Sequence, residues 1–184
     1  MLSLQERRRL LRTARLAVRS ALLGEPFAPP TSATEGLLER RGVFVSIHTG
    51  GELRGCTGYI RSGLPLIETV PRCAVSAATA DPRFAPFTKD ELPHTTFEIS
   101  VLTPPAPTAS PMELEIGRHG IIISRGLQKG LLLPQVATQN GFTPEAFLNA
   151  GCLKAGLPAG SWKEPDVDVE LFTADVFSEA DDDS

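Results

Sequence analysis

Residues 43–60 predict a β-hairpin, and the remaining elements of the fold have to pack around it. Residues 43–48 alternate valine and isoleucine with other side chains, Gly50 and Gly51 follow, and residues 53–60 form the returning run. Period-two alternation is typical of a strand with one buried face, and a glycine pair is typical of a tight hairpin turn. The hairpin therefore carries Cys56 on its second strand.

Cys56 is enclosed by glycines in the segment Leu53-Arg54-Gly55-Cys56-Thr57-Gly58. Gly55 and Gly58 let the main chain bend tightly and present N–H groups to a bound anion or thiolate. In an extended strand Arg54 shares a face with Cys56, and its charge favours the thiolate. Arg54, Gly55, Thr57 and Gly58 are thus candidate binding residues around a reactive thiol. The alternative is that the glycines mark close backbone packing and that Cys56 is a small buried side chain.

Three further side chains are candidates for chemistry beside such a thiol. Glu98 is flanked by β-formers in a predicted strand, residues 96–102, and it acts as a base or orienter if it lies beside the cysteine; otherwise it faces water. His119 follows a glycine turn at a strand start, where it can shuttle protons, and a Cys56–His119 dyad is a hypothesis. Arg83, in a loop stiffened by prolines, either binds an anion or braces the loop.

Charge and cysteine content restrict the function classes. A net charge of −4 and a pI near 5.4 disfavour general attraction to nucleic acid or to anionic membranes. A helix is predicted over residues 4–23, and its arginines are typical of a solvated face. Cys56, Cys73 and Cys152 are far apart and lack a C-x-x-C pair, so neither a disulfide framework nor a zinc site is predicted. We expect a cytoplasmic protein without membrane span, metal or cofactor.

The order of elements predicts an α+β fold, with a mainly antiparallel sheet and helices packed mostly on one side. A second hairpin, within residues 121–133, is followed by helical segments, as the first one is, and no regular βαβ unit is present. The proline-rich residues 103–111 predict a stiff connection between two lobes of a single domain, residues 1–184. The acidic residues 178–184 predict a disordered tail.

The segment around Cys56 resembles the signature of the AMMECR-type domain family, and further matches follow in the same order from about Gly42 to Phe177. These matches are Asp81-Pro82-Arg83-Phe84, the strand Phe97 to Leu102, Gly117-Arg118-His119-Gly120, the run Gly130 to Val136, and Cys152 to Leu157 followed by Trp162. The best-fitting branch of the family is the bacterial and archaeal one called AmmeMemoRadiSam system protein A.

The resemblance implies a two-lobed α+β fold and no defined biochemical activity. The branch name implies two companions, a Memo-type metal-site protein and a radical S-adenosylmethionine protein, for which this chain would be an accessory or binding component. The alternative is an enzyme that uses Cys56 as a nucleophile or redox thiol. A third hypothesis, a nucleic-acid-associated protein, is disfavoured by the acidic balance of the chain.

Overall fold

The computed structural model describes residues 2–30 and 33–183, and it confirms the α+β prediction with antiparallel strand pairing throughout the registers that follow. The chain forms two compact units, Met1–Val101 with Asp175–Ser184 as unit 1, and Leu102–Ala174 as unit 2. Each unit has a hydrophobic core of its own. Within the described part of the chain, no helix is both long and apolar enough to cross a lipid bilayer.

Unit 1 combines helices with an antiparallel three-strand arrangement. Its elements are α1 (Leu4–Leu23), α2 (Glu35–Leu38), β1 (Val43–Thr49), β2 (Glu52–Tyr59), α3 (Leu66–Thr79) and β3 (Thr95–Leu102), the last residue of which belongs to unit 2. β1 is the central strand and pairs with β2 on one side and β3 on the other. The predicted hairpin of residues 43–60 is therefore confirmed.

The long first helix begins and ends where its sequence dictates. Ser3 and Glu6 form a capping box, in which the Ser3 N–H donates to the Glu6 carboxylate at 2.8 Å. Gly24 ends the helix in the left-handed conformation, at φ 68°. The predicted bounds, residues 4–23, are confirmed.

The core of unit 1 lies between the helices and one face of the strands. Val43, Val45 and Ile47 of β1 are fully buried, as are Phe97 and Ile99 of β3. α3 packs on β1 and β2, and α1 packs on α3. The opposite strand face is therefore the one on which polar side chains of unit 1 can be presented.

Unit 2 pairs a second hairpin with the last strand. Its elements are β4 (Ala106–Pro107), β5 (His119–Arg125), β6 (Gln128–Leu132), α4 (Pro134–Gln139), α5 (Pro144–Lys154) and the larger part of β7 (Asp168–Ser178), whose end belongs to unit 1. β5 pairs with both β6 and β7, and α5 packs on β5 and β6. The predicted second hairpin is present.

The proline-rich residues 103–111 lie along β7 within unit 2. Ala106 and Pro107 pair with Leu171 and Glu170, and the Thr103 N–H donates to the Thr173 carbonyl at 2.9 Å. Because proline has no N–H, it suits an edge strand of this kind. A role of this segment as a connection between lobes stays a prediction.

The acidic end of the chain begins inside a hydrogen-bond network of unit 1. Glu179 accepts hydrogen bonds from Arg15 and from the Phe97 N–H, the latter at 2.9 Å. Residues Glu179–Asp183 form a 3₁₀ helix, and Ser184 lies outside the described residues. Disorder of residues 178–184 stays a prediction.

Candidate functional site

A β-bulge at Arg54 sets the geometry around Cys56. Ile47 pairs with Gly55 but His48 pairs with Leu53, so Arg54 has no partner residue on β1. An extra residue in one strand interrupts the period-two alternation and shifts the register beyond it by one position. The bulge therefore places Cys56 opposite Ser46.

Cys56, Ser46 and Glu98 form a row across the three strands of unit 1. Ser46 pairs with Cys56 of β2 on one side and with Glu98 of β3 on the other, and directly paired residues share a face. The Ser46 hydroxyl donates to the Cys56 sulfur at 3.4 Å. Glu98, the candidate base or orienter, thus lies in the same row as Cys56 but two strands away from it.

Asp81 holds the backbone of Cys56 from the outer side of β2. The Cys56 N–H donates to Asp81 Oδ2 at 2.9 Å, so this N–H is directed away from β1. Ser46 and Cys56 are therefore a non-hydrogen-bonded pair of the antiparallel ladder. In pairs of this type the side chains lie closer together than in hydrogen-bonded pairs. Asp81 is 6% exposed and so belongs to the framework of the site.

Arg83 forms a bidentate ion pair with the same carboxylate. Arg83 Nε lies 3.0 Å from Asp81 Oδ1 and Arg83 Nη2 lies 2.7 Å from Oδ2, while the Arg83 N–H donates to Oδ1 at 3.1 Å. The side chain of Arg83 is 51% exposed, and its charge acts on the Cys56 thiol. Arg83 thus braces its own loop through the Asp81 carboxylate, and its partly exposed guanidinium lies near the thiol.

Burial raises the pKa of the Cys56 thiol above its ordinary value. The hydrogen bond from Ser46 and the charge of Arg83 oppose this rise in pKa, whereas the carboxylates of Asp81 and Glu98 add to it. Because its pKa is raised, Cys56 is a neutral thiol at pH 7. The thiolate, which is the nucleophilic form, is a minor species.

Arg54 engages the loop that follows α3. Arg54 Nε lies 3.0 Å from Glu91 Oε1, Nη1 donates to the Ala85 carbonyl at 2.9 Å, and the guanidinium lies 4.4 Å from the centre of the Phe87 ring. The leading influences on the pKa of Cys56 are burial, Ser46 and Arg83. The assignment of Arg54 as a ligand-binding residue stays a prediction, and its described contacts are structural.

The substitution Arg54→Ala is expected to lower the free energy of unfolding by about 1–2 kcal/mol, because it removes a cation–π contact, a carbonyl hydrogen bond and a partly buried ion pair. Urea denaturation measures the effect, with Arg72→Ala on the exposed side of α3 as the control, expected within about 0.5 kcal/mol of the parent. A stability equal to that of the control would contradict the bracing role.

Gly55, Gly58 and Thr57 serve the packing of β2. A Cβ on Gly55 would overlap the carbonyl oxygen of Ala77 at the end of α3, and a Cβ on Gly58 would overlap the Phe44 ring. Thr57 pairs with the buried Val45 and so lies on the core side of the strand. Their assignment as binding residues stays a prediction.

His119 lies in unit 2, whereas Cys56 lies in unit 1. It opens β5, as predicted for a strand start, and its Nδ1 accepts the Glu115 N–H at 2.9 Å. The Cys56–His119 dyad stays a prediction. Cys73 and Cys152 are fully buried in the two cores, and burial raises the pKa of the Cys73 thiol to about 12.

Two residues of the site were not identified as functional candidates from the sequence. Nothing in the sequence around Ser46 distinguishes it from other strand residues. Its pairing with Cys56 depends on the bulge at Arg54. Asp81 stands at a turn, where aspartate is common, although its carboxylate also stands two residues before Arg83, within reach of an ion pair. Across residues 2–30 and 33–183, no cluster of three or more His, Cys, Asp or Glu side chains is arranged to hold a metal ion.

Comparison with known proteins places this chain among relatives that share nearly its whole length. The family model described as AMMECR1 matches residues 11–177. The chain belongs to the AMMECR1 family. A protein of Methanothermobacter thermautotrophicus is 42% identical to this AMMECR1-family chain over 185 residues, covering 97% of this chain and 96% of the relative. Protein MK0488 of Methanopyrus kandleri is 43% identical over 187 residues, covering 97% and 90%.

A solved structure has the same fold. The crystal structure of the uncharacterized protein PH0010 from Pyrococcus horikoshii superposes with a TM-score of 0.87 at 39% identity, covering 92% of this chain and 89% of that one. The resemblance drawn from the motifs around Cys56 is therefore confirmed at the level of the family.

Proposed function

We propose that this AMMECR1-family protein is an accessory or binding component, and that the strand face carrying Cys56, Ser46 and Glu98 receives its ligand. The observation that carries the proposal is the row of a thiol, a hydroxyl and a carboxylate across three paired strands, with Ser46 hydrogen-bonded to Cys56. Arg83 adds an accessible cation at one end. Such a set offers hydrogen-bond donors and acceptors at fixed positions, with the Arg83–Asp81 ion pair at one end.

The state of the thiol favours recognition over nucleophilic attack. A protonated thiol is a weak nucleophile and a weak hydrogen-bond donor, and the raised pKa of Cys56 reduces the thiolate fraction at pH 7. Asp81 and Arg83 fix the backbone on which the thiol is carried. A rigid site of this kind loses little conformational entropy when a ligand binds.

Resemblance to the AmmeMemoRadiSam branch supports a Memo-type protein and a radical S-adenosylmethionine protein as the companions, within the cytoplasm. In this proposal those proteins carry the chemistry and this chain binds. Isothermal titration of the purified chain against each purified companion tests the partnership. Glu98→Lys on the proposed face should abolish binding, whereas the control Glu113→Lys in unit 2 should not. The proposal would be contradicted if neither companion gave a binding heat, or if both variants lost the same amount of affinity.

A catalytic thiol is the second candidate, because Ser46 and Arg83 both stabilise the thiolate form of Cys56. In that case Glu98 or His119 would handle the proton. A substrate that displaces Glu98 from the site would strengthen this candidate, since the Glu98 charge raises the pKa of the thiol.

The rate of Cys56 alkylation by iodoacetamide as a function of pH separates the two candidates. We expect a midpoint above the ordinary thiol pKa of about 8.5, raised further in Ser46→Ala and Arg83→Gln and lowered in Glu98→Gln. Peptide mass spectrometry reads each cysteine separately, with the buried Cys73 and Cys152 as internal controls. A midpoint well below the ordinary value would overturn the binding proposal in favour of the catalytic thiol.

A further inference from the structure

The outward face of α1 carries leucines and arginines in a single stripe. Leu4, Leu16 and Leu23 are 58%, 42% and 45% exposed, and helical spacing places them on one face. Exposed arginines stand between them on the same face, at helical spacing: Arg8, Arg12 and Arg19. The other side of α1 is buried in the core of unit 1, so the stripe is not needed to hold the helix.

Two arginines of the stripe, Arg12 and Arg19, differ from the inner arginines of α1 in their ion pairing. Arg7 pairs with Asp175 at 2.8 Å and Arg15 pairs with Glu179 at 2.6 Å. For Arg12 and Arg19, the described residues provide no ion-pair partner. In a chain of net charge −4, this is a local concentration of positive charge, which is complementary to an anionic partner.

Two grooves border the stripe, one on each half of the helix. Along the N-terminal half, a groove of about 470 Å³ is lined by Arg8, Arg12, Leu16 and Pro30, among others. Beside the C-terminal end, a groove of about 230 Å³ is lined by Arg19, Leu23, Leu92 and Pro93, among others. Each groove is lined by both basic and apolar side chains, so it suits an apolar side chain that has a carboxylate neighbour.

Other anionic partners fit the stripe less well. A bilayer surface requires a continuous apolar strip flanked by cations, whereas here Arg8, Arg12 and Arg19 interrupt the leucines. Nucleic-acid phosphates would pair with the arginines but would leave the three leucines without partners. An amphipathic helix that bears both leucines and glutamates can pack on the exposed leucines of α1 and pair with its arginines at the same time.

We infer that the outward face of α1 docks an acidic amphipathic helix of a partner protein. Apolar side chains of that helix enter the two grooves, and its carboxylates pair with Arg12 and Arg19. The surface is separate from the Cys56 row, and the inference does not depend on the function proposed for that row.

The probe that tests the inference is a fluorescein-labelled helical peptide of about 20 residues, the length of α1, built from leucine at helical spacing with glutamate and alanine elsewhere. Fluorescence anisotropy should show saturable binding that weakens with added salt. Leu16→Gln and the double variant Arg12→Glu with Arg19→Glu should each weaken binding about tenfold. Leu127→Gln and Arg118→Glu, on exposed positions of unit 2, should leave it unchanged.

The same assay is run with phosphatidylglycerol vesicles and with a single-stranded DNA oligonucleotide. Tighter binding to either of these than to the acidic peptide would overturn the inference. No binding of the peptide would also overturn it, as would equal weakening by the unit 2 variants. Far-UV circular dichroism confirms that each variant is folded before its affinity is compared.

Discussion

Asp81→Ala is expected to lower the free energy of unfolding by about 3 kcal/mol, because it removes one partner of a buried, hydrogen-bonded ion pair. The buried carboxylate accepts four hydrogen bonds, from the Cys56 N–H and from the backbone N–H, Nε and Nη2 of Arg83. The half-exposed Arg83 regains water in the variant, which keeps the loss at the lower end of the range for buried pairs. Urea denaturation followed by far-UV circular dichroism measures the change.

The same variant should alter the dependence of stability on pH. Hydrogen bonds from Arg83 are the main reason that the pKa of Asp81 is lowered far below its ordinary value. A lowered pKa in the folded state contributes stability above the unfolded pKa of about 4, and this contribution is lost as the pH falls from there toward the folded pKa. The parent should therefore lose stability in acid more steeply than Asp81→Ala. Asp90→Ala, at an exposed position of the same loop region, serves as the control, and an equally small effect at both positions would contradict the role of Asp81.

Gly55→Ala is expected to destabilise the protein by about 3 kcal/mol, because the added methyl group would overlap the main-chain carbonyl of Ala77. A backbone atom cannot rotate away as a flexible side chain would, so β2 and the end of α3 have to separate. The separation would also loosen the hydrogen bond between Asp81 and the Cys56 N–H, and so speed the alkylation of Cys56.

Gly63→Ala is the matched control for this substitution. Gly63 is exposed and a Cβ placed on it has no neighbour within 4 Å. Its replacement should change the free energy of unfolding by no more than about 0.5 kcal/mol, with a slight gain from the stiffer unfolded chain. Thermal unfolding of both variants measures the difference, and a Gly55→Ala protein as stable as Gly63→Ala would show that the close packing of β2 on α3 does not occur.

Local patterns were sufficient for the elements whose signals lie close together in the chain. The capping box at Ser3 and Glu6 and the glycine at position 24 bound α1 at the predicted residues. The burial of Cys73 and Cys152 also follows from their place among apolar residues at helical spacing. Each of these features depends on neighbours within a few residues, which the sequence displays directly.

The composition of the candidate site could be predicted only in part. Cys56, Glu98 and Arg83 were identified by residue type and by their surroundings in the sequence, and the structure places all three in unit 1. Ser46 and Asp81 were not identified, because a serine in a strand and an aspartate in a turn have ordinary local reasons to be there. Only pairing between distant segments gives them their contacts with Cys56.

The sequence by itself determined the family, the hairpin and the cysteine at its centre, since these depend on residue types and on short spacings. The tertiary structure alone decided which face of the hairpin carries that cysteine. Counting back from a turn at Gly50 and Gly51 would pair Cys56 with the buried Val45; the bulge at Arg54 shifts the register by one residue and pairs it with Ser46. Arg54 can leave the ladder because Glu91, the Ala85 carbonyl and the Phe87 ring, all distant in sequence, hold its side chain.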